Sequence, residues 1–184
     1  MFHVKHLRSA MGARPPRGPQ RKEGNPMTDQ DYMREALKLA GECLPHRDVP
    51  VGCVVVSPSG GIIGRGRNRR EELGRATAHA EVEAIGAACA ALGTWRLEGC
   101  RLYVTLEPCP MCAGAVINAR IAQIYFGARE GKSGCCGSIL NLFCEPFNHH
   151  PRVYGGVLEA ECRGLLEDFF RALREGGEGG NFPG

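Results

Sequence analysis

The sequence predicts an α/β fold, a mixed five-stranded sheet layered with helices, and three observations carry the prediction. Short β-branched runs alternate with stretches of helical periodicity. A turn signal joins the first two runs directly, as in a hairpin, and Thr, Asp or Pro stands where the helices should begin. After the hairpin every connection is long enough for a helix, so the later strands are expected to pair in parallel.

Thr28 or Asp29 can cap a first helix running to about Cys43, with Tyr32, Ala36, Leu37, Leu39 and Ala40 as its apolar stripe. Pro50 to Ser57 and Gly61 to Arg67 read as two strands around the turn Pro58-Ser59-Gly60. Thr77-Ala78-His79-Ala80-Glu81 opens an Ala-rich helix to about Leu92, and Arg101 to Leu106 is a short strand. Pro110 to Ala119 is a helix with Pro in its first turn, and Ala122 to Gly127 the next strand. Val153 to Val157 reads as a last strand and Glu159 to Leu173 as a closing amphipathic helix.

With domains averaging roughly 100–150 residues, a chain of 184 predicts one soluble domain. No stretch approaches the ~20 apolar residues of a membrane-spanning helix, so no membrane partner is expected. The 23 Lys and Arg against 20 Asp and Glu are unevenly placed. Residues 1–26 hold six basic groups and one acid, which leaves the rest slightly acidic. A disordered basic extension over 1–26, a folded domain over 27–175 and a flexible Gly-rich tail over 176–184 are therefore expected. The ten cysteines are accompanied by no secretory apolar block, which predicts free thiols in a reducing, cytoplasmic setting. Most stand where a small core residue would serve, as Cys53 and Cys89 do.

Two helix starts concentrate the chemistry. Cys109 and Cys112, three apart on a helix, share one face at the spacing of two sulfurs of a tetrahedral zinc site. A helix N-terminus favours the thiolate that binds metal. With His79 these cysteines make three protein ligands, and three suits a catalytic zinc, which keeps a position for water. Glu81, two residues beyond His79, can move protons between the activated water and a leaving group without binding the metal.

His79-Ala80-Glu81 followed by Pro108-Cys109-Pro110-Met111-Cys112 resembles the signature of the zinc-dependent nucleoside and base deaminases. Val49-Pro50-Val51-Gly52, Gly66-Arg67-Asn68, Leu102 to Cys109, Met111 to Ala115, Phe126-Gly127-Ala128-Arg129 and Asp168-Phe169-Phe170-Arg171 narrow the resemblance to the bacterial tRNA-specific adenosine deaminases, from about Met27 to Arg174. The resemblance implies a three-layer α/β/α cytidine-deaminase-like sandwich and a homodimer with one Zn2+ per subunit. It further implies conversion of the wobble adenosine of a tRNA anticodon stem-loop to inosine. It makes His79, Cys109 and Cys112 the zinc ligands, Glu81 the proton shuttle and Asn68 the contact to the flipped purine. Phe169, Phe170, Arg171, Arg129 and Lys132 become RNA contacts. Glu71 and Glu72, beside Arg69 and Arg70, leave a merely solvated rim as the alternative for the arginines around Asn68. Glu130 departs from the family's usual Asp, and Asn148 and His149 match a family pair to which the sequence gives no role. Deamination of free guanine or cytosine, and a structural zinc module without turnover, remain open alternatives.

Overall fold

Thr28 starts the first helix, α1 (Asp29–Gly41), by a reciprocal cap: its hydroxyl accepts from the Asp31 N–H and the Asp31 carboxylate accepts from the Thr28 N–H. In the computed structural model the described residues are 26–175. The expected tail, and all of the expected N-terminal extension but Pro26, lie outside them. The remaining elements are β1 (Gly52–Val56), β2 (Ile62–Arg67), α2 (Arg70–Leu73), α3 (Ala80–Leu92), β3 (Arg101–Leu106), α4 (Pro110–Asn118), β4 (Gln123–Ala128), β5 (Arg152–Gly155) and α5 (Glu159–Glu175).

The five strands form one sheet in the order β2-β1-β3-β4-β5. β1 and β2 make the expected hairpin, and β3, β4 and β5 pair in parallel. The expectation of parallel pairing fails at one seam, because β3 lies beside β1 and antiparallel to it. The α3 crossover does return the chain in the direction of β2, but β1 stands between the two.

Helices α3 and α4 cover one face of the sheet, α1 and α5 the other. β1 shows why both are needed: Cys53 and Val55 pack with the α3 side, Val54 and Val56 with the α1 side, and all five of its residues are buried. On the α1 side Tyr103, Tyr125 and Tyr154 stand in register on neighbouring strands, their rings stacked with centroids 4.6 and 4.7 Å apart.

What positions the site is the close contact of α3 with β2. A Cβ on Gly66 would lie 2.2 Å from the Ala80 carbonyl oxygen and 2.5 Å from the Ala84 nitrogen, so only glycine lets the first turn of α3 rest on the strand. A Gly66→Ala substitution should therefore cost about 1–3 kcal/mol by overpacking. Thermal unfolding checks this, and an unchanged midpoint would contradict the packing described.

Candidate active site

The N-termini of α3 and α4 converge at the ends of the central strands. His79 is the N-cap of α3 with extended backbone (φ −81°, ψ 150°), and its side chain makes no capping bond. Cys109 holds the same place on α4, followed by Pro110, which lacks the N–H that this position would leave unpaired. The two helix starts thus present His79, Cys109 and Cys112 to one another. His79 Nδ1 lies 3.7 Å from Cys109 Sγ and 3.6 Å from Cys112 Sγ, and all three donor atoms fall within 4.8 Å. Bonds of about 2.0–2.1 Å to nitrogen and 2.3 Å to sulfur put tetrahedral zinc ligands about 3.6 Å apart, so the donor set fits zinc without rearrangement.

The acidities of the two thiols are driven in opposite directions. Hydrogen bonding from Cys112, against the effect of burial and aided by His79, holds the Cys109 thiol down to about 4. The same bond, with burial, pushes Cys112 far up. A divalent cation held by these three donors would require both thiols to give up their protons.

Glu81 sits in the first turn of α3, 4% exposed, beside this cluster but not one of its donors. Burial raises its carboxyl above the ordinary carboxylate range. A cavity of about 200 Å³ opens at the cluster, lined by His79, Glu81 and Cys109 together with Asn68, Arg70 and Phe170. Glu107, Glu130 and Ser133 also line it.

Asn68 follows the last residue of β2 and is buried. Its Nδ2 donates to the Val49 carbonyl at 3.1 Å, and the Arg69 N–H donates to the Ala78 carbonyl at 2.9 Å, which ties this segment to the His79 turn. Among the described residues Oδ1 of Asn68 is the one buried side-chain polar atom without a hydrogen-bond partner. A buried acceptor so placed costs free energy until a donor reaches it.

The expected RNA contacts separate. Phe170 is exposed and lines the cavity, whereas Phe169 turns inward, edge-on to Phe170 at 5.3 Å, and is only 8% exposed. Adjacent helical positions cannot share a face, and Phe169 packs in the fold instead of facing the cavity. Arg171 is exposed and paired with Asp168, while Arg129 and Lys132 are exposed beyond the cavity wall. Of the arginines around Asn68, Arg67 and Arg69 both bind Glu72, at 2.6 and 2.8 Å. The Arg69 hydrogen bond, with Arg67 adding to it, lowers Glu72 to about 2. Arg70 lines the cavity and has no salt bridge among the described residues. Asn148 and His149 brace a loop: Asn148 accepts from Arg120 at 2.5 Å, and His149 Nε2 meets the Ile121 carbonyl at 2.7 Å.

Two acids escaped the sequence reading. Asp48 is fully buried and accepts from the Glu71 and Glu72 N–H groups at 2.7 and 3.2 Å, capping the unexpected helix α2 from 23 residues away. Glu107 is buried directly before Pro108-Cys109, and that adjacency to the metal motif was the available signal.

Comparison with known proteins agrees with this geometry. Residues 26–128 match the cytidine and deoxycytidylate deaminase zinc-binding region. The chain is 53% identical over 148 residues to the tRNA-specific adenosine deaminase of Bacillus subtilis (strain 168), covering 80% of this chain and 91% of that one. It is 45% identical over 145 residues to the protein so named in Streptococcus pyogenes serotype M18, covering 78% and 91%. Among solved structures, a chain from work on A-to-I editing by tRNA:A34 deaminases at the wobble position superposes with a TM-score of 0.70 at 46% identity, covering 73% of this chain and 98% of that one. Guanine deaminase from Bacillus subtilis superposes with 0.55 at 30% identity, covering 85% and 100%. By sequence match and by fold, this chain belongs to the cytidine and deoxycytidylate deaminase family, with the sandwich of that family built around its zinc-binding region.

Proposed function

We propose that the protein hydrolyses the wobble adenosine of a tRNA anticodon stem-loop to inosine, releasing ammonia. The observation that carries the proposal is the cavity that Asn68, whose buried Oδ1 has no partner, shares with Glu81 and with His79 and Cys109 of the metal donor set. An adenine turned out of its stack carries its N–H donors on the exocyclic amino group, and an asparagine acceptor at the cavity can take one. His79, Cys109 and Cys112 hold one zinc ion per chain. Zinc supplies Lewis acidity, which makes water nucleophilic near neutral pH.

Glu81 takes the proton from the attacking water and delivers it to the purine ring as the new bond to carbon 6 forms. It then takes the proton of the new hydroxyl on carbon 6 and delivers it to the departing amine as the carbon–nitrogen bond breaks, leaving the 6-oxo group of inosine and free ammonia. Phe170 at the cavity wall offers a stacking surface, and Arg70, with Arg129, Lys132 and Arg171 outside the wall, offers cations to phosphates. A free base would need none of these outer groups. The relatives named for tRNA deamination are also closer than guanine deaminase, at 53% against 30% identity. The same reading makes the protein a cytoplasmic homodimer. Among the described residues no helix is long and apolar enough to cross a membrane.

The test supplies the purified protein with an adenosine-wobble anticodon stem-loop and, separately, with free guanine and cytosine. Inosine should appear in the stem-loop at one position, and an Asn68→Ala variant should lose about 1–3 kcal/mol of transition-state stabilisation with its zinc retained. Consumption of a free base with no inosine in the stem-loop would select the alternative, a free-base deaminase.

A further inference from the structure

We propose that Glu107 is a positioning residue that clamps the 129–138 segment against the metal centre and thereby sets the affinity for substrate. Glu107 stands just after β3, and its N–H donates to the Ala128 carbonyl at 2.9 Å, prolonging the β3–β4 pairing by one residue. Its side chain is 2% exposed and spends both carboxylate oxygens on the segment that follows β4. Oε2 accepts from the Glu130 N–H at 3.1 Å and from the Ser138 hydroxyl; Oε1 accepts from the N–H groups of Cys136 and Ser138 at 2.8 and 3.1 Å.

One buried group therefore gathers four donors from a nine-residue stretch, 130–138, that includes no helix or named strand of its own. Gly134 makes room for it, since a Cβ there would lie 2.6 Å from Glu107 Cδ. The clamped segment carries Glu130 and Ser133 to the lining of the cavity that Asn68 and Arg70 also line, and Cys109 follows Glu107 by two residues. A single carboxylate thus joins the strand end that leads into Cys109 to the segment that brings Glu130 and Ser133 to the cavity. A carboxylate can do this because it only accepts. An amide in its place turns a donor toward N–H groups and leaves at least one of them unpaired.

The test uses full-length, zinc-loaded protein carrying Glu107→Gln or, as the milder change, Ser138→Ala. Glu107→Gln should keep the parental zinc content and speed amide exchange over 130–138 by about tenfold or more. It should raise KM for the stem-loop about tenfold and leave kcat within about twofold, the pattern of lost binding common to ground and transition states. Ser138→Ala should shift both readouts in the same direction by less, and it decides the matter if Glu107→Gln does not fold. A role in folding alone would lower the melting point without moving KM. Unchanged KM, a fall confined to kcat, or loss of zinc would each overturn the proposal. The kinetic arm rests on the tRNA reading. Should the parent protein leave the stem-loop unconverted, that reading fails, and amide exchange over 130–138 still decides whether Glu107 holds the segment.

Discussion

Replacing Glu81 by Gln should lower kcat for inosine formation by about 10²–10⁴-fold, the range expected when a positioned acid–base group is removed, while zinc stays bound at the parental stoichiometry. Glu81 lies in the first turn of α3, two residues beyond its N-cap His79, yet the donor cluster of His79, Cys109 and Cys112 is complete without it. Its carboxylate has no part in holding the metal, so an amide of the same size should leave the site assembled. What the amide cannot do is accept and return a proton. Burial that lifts the Glu81 carboxyl above the usual range also brings it nearer the pH at which it must both take and give one, where such a group is most effective. Single-turnover inosine formation with metal analysis of the same sample measures both halves. Parental activity in the variant would remove Glu81 from the chemistry, and a loss of zinc would make it a support of the metal site.

The parts of this protein that were legible in sequence are those fixed by near neighbours. The hairpin announced itself through Pro58-Ser59-Gly60, and α4 through Pro110 in its first turn, because turn and cap chemistry is local. Cys109 and Cys112 were legible for another reason, a spacing that already implies one helix face, and His79 through the His79-Ala80-Glu81 motif at its own helix start. What stayed hidden depends on partners far along the chain. Nothing in β3 encodes that its antiparallel neighbour is β1, a choice made by how the crossover packs on the sheet. Helix α2 spans four residues and owes its first turn to Asp48 on another segment. The arginines before and after Asn68 look alike in sequence, but Arg67 and Arg69 pair with Glu72 and Arg70 is left at the cavity. Glu107 is one more acid until its four donors, 23 to 31 residues away, are brought to it.

Cys112→Ser should abolish zinc retention and with it all turnover, although the change replaces one atom. The serine hydroxyl stays protonated near neutral pH and offers no thiolate, so only His79 and Cys109 remain of a three-donor set whose 3.6 and 3.7 Å edges match a tetrahedral ion. Cys112 is fully buried one turn into α4, where no exposed group can swing in to replace it. Stability gives a readout independent of substrate. A ligand at about 100 times its dissociation constant stabilises a folded protein by about 2.7 kcal/mol, which for a domain of this size raises the midpoint by roughly 5–10 °C. The parent should show that zinc-dependent rise and Cys112→Ser should show none. Cys135 supplies the control, being an equally buried thiol outside the donor cluster. Cys135→Ser should keep both the zinc and the thermal shift, whatever it costs in packing. Parental zinc affinity in Cys112→Ser, or loss of zinc from Cys135→Ser alone, would mean that the metal is held by a different set of sulfurs from the pair that the starts of α3 and α4 bring together.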